Sequence, residues 1–255
     1  MGYRLTDPDL ELLSFLAEHR LALPTHIAAL LGVSRAAATT RLNKLASARL
    51  LKRRPAFPGE PRWYQITRTG LAVIGSSLPT PRVDLRAYEH DVGVAWLWLA
   101  VRGGTFGPLE EIIAERRLRS LDGSRDQGTE PLAVRLGGFG PHGREKVHYP
   151  DMVLRTADGR RVALELELTP KTRTRLETIL SGYGADPRFD RVVYLVGSPA
   201  VARSVHAAAR RLGISDLVHL QRVRSTVART ASTAAPAAER ATPGRRRTRT
   251  PEMAR

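Results

Sequence analysis

The 255 residues carry 41 Lys and Arg against 25 Asp and Glu, a net charge of +16 and a pI near 11.2, which favours a polyanionic partner, nucleic acid before an anionic membrane. The absence of cysteine excludes a disulfide scaffold and a thiolate zinc site. No apolar leader core follows Met1 and no 18-residue apolar span occurs, so a soluble, cytoplasmic protein with no membrane role is expected.

In chain order, Asp7 can cap a helix with Leu10, Leu13, Phe15 and Leu16 near helical spacing, ending before Arg20. Thr25 after Pro24 can cap a second helix to Leu31, and Gly32-Val33-Ser34 is a tight turn ending in a third cap. A third helix from Arg35 to about Ala48 turns Ala38, Leu42, Leu45 and Ala46 to a core. Thr40, Asn43, Lys44 and Ser47 lie opposite, with Arg41 on the flank. Leu50–Arg54 and Arg62–Thr67 read as strands around a proline-rich loop, and a short helix starts at Thr69. The run Ala28-Ala-Leu-Leu-Gly-Val-Ser34 followed by Leu42, Leu45 and Leu50-Leu51 resembles the winged helix-turn-helix of bacterial regulators and plasmid proteins. The resemblance implies double-stranded DNA as partner, with base reading by Arg35, Thr40, Arg41 and Lys44 on the third helix. Lys52, Arg53, Arg54 and Arg62 would contact phosphates. A winged helix that binds protein or only packs is the alternative.

A Ser/Pro-rich break at 76–82 separates residues 1–78 from a second domain, 84–222, and residues 223–255 form a basic tail. Eight arginines against Glu239 and Glu252, with almost no large apolar residue, mark that tail as disordered. Its Gly244–Arg249 run reads as a nonspecific phosphate-binding patch.

The second domain opens with an apolar helix from Asp84 to Arg102, also a candidate homodimer surface. Glu110–Leu118 reads as strand or short helix, and Leu132–Leu136 as a strand. Then Tyr149-Pro-Asp151-Met-Val-Leu and Val162-Ala-Leu-Glu165-Leu-Glu167-Leu flank Thr156-Ala-Asp-Gly-Arg160, a hairpin signal. A two-residue Asp158-Gly159 turn would set Asp151 on the leucine face. A three-residue loop with Gly159 left-handed pairs Asp151 with Glu165 and gathers Asp151, Glu165 and Glu167 on one side, and this register is the one expected. Such a cluster is either a divalent-metal site or a solvated face neutralised by Arg155 and Arg161. A helix from Lys171 to Tyr183, a buried parallel strand Asp190–Val196, a helix Ala200–Leu212 and a last strand Leu217–Leu220 complete an α/β layer with one crossover. His90 reads as a packed histidine, and His142 and His148 as glycine-loop or strand-edge residues. Trp96 and Trp98 read as core and interface.

Pro150-Asp151 on one strand and Glu165-Leu-Glu167 on the next resemble the PD-(D/E)XK nuclease-like fold. The longer stretch Ala163–Lys171, Arg175–Leu180, Tyr183 and Asp190–Val196 is similar to the replication-relaxation family of actinobacterial and plasmid proteins, over about residues 5–220. The resemblance implies an α/β fold: a winged helix followed by a restriction-endonuclease-like α/β domain with a mixed sheet. It implies Asp151 and Glu165 as ligands of Mg²⁺, with Glu89 as a third acid. Glu167 stands where such nucleases have lysine, so catalysis would need Glu167 as base or Lys171 reaching in. Three functions follow: a DNA-binding protein of plasmid or mobile-element replication or transfer, a Mg²⁺-dependent endonuclease, and a winged-helix transcriptional repressor.

Overall fold

A computed structural model describes residues 4–55, 57, 60–126 and 129–223, all within one compact unit, Met1–Arg224. The expected disorder and phosphate-binding patch of the tail fall on residues outside those described.

Helix α1, Asp7–Glu18, starts not at an Asp7 cap but at Thr6, whose backbone N–H and hydroxyl both donate to the Asp9 carboxylate at 3.0 and 2.7 Å. Leu12, Leu13, Phe15 and Leu16 are buried, whereas Leu10 is 39% exposed. Helix α2, Pro24–Leu31, is closed by His26, whose Nδ1 accepts the Leu23 N–H at 3.1 Å, in place of the expected Thr25 cap. Gly32, at φ 63°, ends it in the left-handed region that glycine tolerates. Ser34 Oγ then caps α3, Arg35–Ser47, by accepting from the Ala37 N–H at 3.2 Å. Strands β1, Leu51–Arg54, and β2, Trp63–Ile66, form an antiparallel hairpin, and α4, Arg68–Val73, follows a Thr67 cap. Their core joins Leu16, Ile27, Leu42, Leu45, Tyr64 and Ile66.

After a single 3-10 turn at Leu85–Ala87 comes α5, Tyr88–Arg102. Then follow β3, Leu109–Ala114; α6, Glu115–Ser124; β4, Val134–Phe139; β5, Glu145–His148; and β6, Met152–Thr156. The chain goes on through β7, Arg161–Glu167; α7, Arg173–Gly184; β8, Arg191–Val196; α8, Pro199–Arg211; and β9, Val218–Arg222. The main sheet has the order β3-β6-β7-β8-β9. Its β3-β6-β7 joins are antiparallel and its β7-β8-β9 joins parallel, so this is a mixed α/β layer. Two crossovers, through α7 and α8, replace the single one expected, because β9 adds parallel to β8. Strand β4, overlapping the strand expected at Leu132–Leu136, makes a separate ribbon with β5, which sequence periodicity missed: Glu145-Lys-Val-His148 has little apolar alternation to read.

The β6–β7 hairpin takes the three-residue loop. Met152 faces Leu164, Val153 faces Ala163 and Leu154 faces Val162, with Gly159 at φ 81°. Met152, Leu154, Leu164 and Leu166 pack under Leu97 and Val101 of α5. A Cβ on Gly93 would lie 2.5 Å from Leu166 Cδ2, which shows how closely α5 sits on β7. Val153 and Ala163 instead face α7 and α8, so the acid-bearing side is a covered side too.

The three-helix region and the sheet layer meet along a polar and aromatic seam. Arg20 reaches Asp91 at 3.3 Å and Glu115 at 2.5 Å, and Arg116 donates to the Ala17 and Pro79 carbonyls. His26 stacks edge-on against Trp96 at 4.7 Å, and Phe15 against Trp98 at 5.3 Å. Gln65 Nε2 donates to the Pro81 carbonyl at 2.5 Å.

Candidate nucleic-acid interface and acidic cleft

The outward surface of α3 exposes Arg35, Thr40 and Lys44. Thr40 and Lys44 border a concavity of about 930 Å³ shared with Asn43, Ser47, Leu5 and Val73. Beyond α3, the exposed Lys52, Arg53 and Arg54 of β1 and Arg62 before β2 continue a basic rim. Asn43 ties the two parts together: its Oδ1 accepts from Tyr64 Oη at 2.8 Å and from Arg53 Nη1 at 3.3 Å. Arg41 stands apart. Its Nη1 donates to the fully buried Asp9 at 2.6 Å and to Thr6 Oγ1 at 3.1 Å, so the guanidinium expected to read bases instead pins α3 to the start of α1. In the loop between β1 and β2, Phe57 packs edge-on against Tyr88 of α5 with ring centroids 5.8 Å apart.

The hairpin register brings Asp151, Glu165 and Glu167 to one side of the sheet, and all three are buried. Asp151 and Glu165 line a cleft of about 360 Å³ that Arg20, His90, His148 and Lys171 also line. Each acid already holds donors. Asp151 Oδ2 accepts the Leu166 N–H at 2.8 Å and contacts His90 Nε2 at 3.2 Å. Glu165 Oε1 lies 2.6 Å from His148 Nε2 and accepts from the Tyr183 hydroxyl. Glu167 pairs with Lys171, four residues on.

These pairings set the protonation states. Burial alone would discharge His90, yet the opposing charge of Asp151 and the bonds to Asp151 and Asp91 lift it to about 10, so it is a cation at neutral pH. His148 is likewise raised, Glu165 outweighing burial. Burial raises the Asp151 carboxyl, but His90 and the Leu166 N–H more than reverse that, leaving it below the usual range. The Tyr183 hydroxyl is pushed well above its ordinary value by burial and by Glu165, which keeps it a donor. Burial pulls the Lys171 ammonium down, partly offset by Glu165 and Asp151.

Glu89 is exposed and does not line this cleft; Asp91 and His90 of α5 do. Arg155 and Arg161 do not neutralise the acids: Arg155 lies 3.5 Å from Glu111, and Arg161 sits over the Phe189 ring at 5.0 Å. A divalent cation would have to compete with donors already in place on one oxygen of each acid, Asp151 Oδ2, Glu165 Oε1 and Glu167 Oε2. Among the described residues no group of three or more His, Asp or Glu side chains is arranged to hold a metal ion. Sequence reasoning gave His90 a packed role, His148 a strand-edge position and Tyr183 a place on a helix, and did not pair any of them with the acids they hold. The one available hint was that two histidines and a tyrosine flank an unusually acidic strand pair.

No helix among the described residues is long and apolar enough to cross a membrane. No curated protein matches this chain. A solved structure titled as a MarR family transcription regulator is 25% identical, covering 39% of this chain, with a TM-score of 0.26. This chain spans 58% of that structure's length. The MarR family model matches residues 5–56, the stretch from the start of α1 through β1. Residues 5–56 thus match the MarR family model, and the N-terminal part of this protein is a winged helix, a DNA-binding fold, beside an α/β layer with a mixed sheet.

Proposed function

We propose that this chain is a duplex-DNA-binding protein of plasmid or mobile-element replication or transfer. Residues 1–78 would read DNA, and residues 84–222 would form a nuclease-like module that does not cut. The observation that carries this reading is the exposed set Arg35, Thr40 and Lys44 on α3, continuous with the cationic β1 on a chain of net charge +16. The α3 side chains suit base edges in a major groove, and the β1 cations suit phosphates. A nuclease-like second module rests on the sequence resemblance together with the order of α5, the acid-bearing β6–β7 hairpin and α7. Its acids, engaged by His90, His148, Tyr183 and Lys171, favour a closed polar network over a metal centre.

The MarR family match over residues 5–56 favours a second reading, a repressor, in which two copies would bind symmetric half-sites. Footprinting on the element's own DNA separates the two. Protection at a replication or transfer origin supports the first reading, protection across the protein's own promoter the second, and no protected site defeats both. The closed network is tested separately, by melting the protein with and without Mg²⁺ or Mn²⁺ and by incubating it with supercoiled plasmid. No melting shift and no nicking are expected; nicking abolished by Asp151→Ala would overturn the non-cutting assignment.

A further inference from the structure

The ribbon formed by β4 and β5 lies outside the basic face of α3 and β1, and only His148, at the end of β5, joins the network around the acids. Its tip carries Phe139, which at 72% exposure is the most exposed large apolar side chain among the described residues. The surroundings are cationic and nearly free of competing bulk. Arg144, just before β5, and Lys146 on it are exposed, and Phe139 stands opposite Glu145, itself 3.2 Å from Arg135. Gly137 and Gly138, at φ 74° and 72°, lie where the register slips between Arg135 and Phe139. Lys146 runs alongside, its Cγ 3.8 Å from where a Gly140 Cβ would sit.

The base of the ribbon is firmly held. Val134 is buried, and the Arg135 carbonyl presses so close to Gly182 of α7 that a Cβ there would be 2.7 Å away. At the other end of β5, His148 is fixed to Glu165. Among the described residues the Phe139 ring, 72% exposed, makes no ring–ring or cation–π contact.

We infer that the β4–β5 ribbon is a second DNA contact, which binds an unpaired strand by stacking a base on Phe139 while Arg144 and Lys146 meet its phosphates. Aromatic platforms flanked by cations hold single strands in this way, tolerant of sequence because every base has a flat face. The net charge of +16 favours a polyanion over a neutral protein surface, and the 72% exposure of Phe139 leaves its ring open to a base. This inference extends the duplex-binding reading without depending on it.

The test measures full-length protein against a labelled oligothymidine strand and a duplex by fluorescence anisotropy. Phe139→Ala should weaken strand binding by roughly fivefold or more and leave duplex binding and the melting temperature unchanged. Phe139→Trp should retain strand binding, with its indole emission quenched by the strand. Arg144→Gln with Lys146→Gln should flatten the salt dependence of strand binding, by about 0.7 in log–log slope for each phosphate no longer neutralised. Lys44→Ala should do the reverse of Phe139→Ala, weakening the duplex and sparing the strand. Strand affinity of Phe139→Ala equal to wild type overturns the inference, since the binding would then come from charge elsewhere. Phe139-dependent capture by phosphatidylserine vesicles with unaltered strand affinity also overturns it, and points to a membrane surface.

Discussion

Arg41 and Lys44 stand about one turn apart on α3, yet their side chains serve different ends. Lys44 is open to solvent, whereas Arg41 satisfies a carboxylate, Asp9, that is fully buried. Arg41→Ala would strip that acid of a charged donor and lower stability by roughly 1–3 kcal/mol, read by urea unfolding. Lys44→Ala should stay within about 0.5 kcal/mol of wild type in the same experiment. It should weaken duplex binding and reduce the salt slope by about one. The acids of the cleft permit an equally sharp distinction. Carboxylates gathered for a metal repel one another, so neutralising one stabilises the metal-free protein. Here Glu165 is held by His148 and Tyr183, and Glu165→Gln should instead lower the melting temperature. A raised melting temperature would show that these donors do not stabilise the acid.

Among the elements, the β6–β7 hairpin was legible because its turn is local. Ala157-Asp-Gly159 supplies a left-handed glycine where the loop needs one, and alternation in Leu164-Glu-Leu-Glu167 then assigns the faces. The α3 boundaries were legible for the same kind of reason, with Ser34 before and leucines at helical spacing within. Strand β5 was not, because half of it faces solvent and its pairing with β4 is interrupted by two left-handed glycines. Its support comes from α7, through the gap left by Gly182. Gly182→Ala would drive a Cβ into the Arg135 carbonyl and should destabilise by about 1–3 kcal/mol. Hydrogen exchange in that variant should show β4 and β5 losing protection before β6 and β7 do. Equal protection throughout would mean that the ribbon is not anchored at this helix.

Across the whole described molecule, the seam between the winged helix and the sheet layer is built from groups that tolerate little change of charge. His19 and His26 are buried in it, each with Nε2 lacking a hydrogen-bond partner among the described residues. Burial pulls both down to about 3, with His26, Arg116 and Arg20 adding to the effect at His19. A depressed folded-state value means that the unfolded chain binds the proton more readily. The stability from keeping these rings neutral is therefore fully present above the ordinary histidine value of about 6.5, and is lost as pH falls from there towards about 3. Thermal unfolding followed across that window should show a falling melting temperature, with a shallower fall in His19→Phe. A His19→Phe profile identical to wild type would show that His19 does not contribute to the fall. With Arg20, Arg116, Trp96 and Trp98 all bridging, the described unit should also unfold in one calorimetric transition, and two resolved peaks would contradict that coupling.

Periodicity, caps and turn chemistry along the chain were enough to specify a basic winged helix, an α/β layer and the face on which three acids gather, because each of these depends on neighbours a few residues apart. Of the partners of those acids, only Lys171, four residues past Glu167, was within reach of such reasoning. His90 meets Asp151 across 61 positions, His148 meets Glu165 across 17 and Arg41 meets Asp9 across 32, and such long-range pairs leave no periodic trace. Packing of α5, β5 and α7 around the hairpin turned a cluster of carboxylates into a neutralised network, through burial that makes an unpaired charge too costly to leave alone.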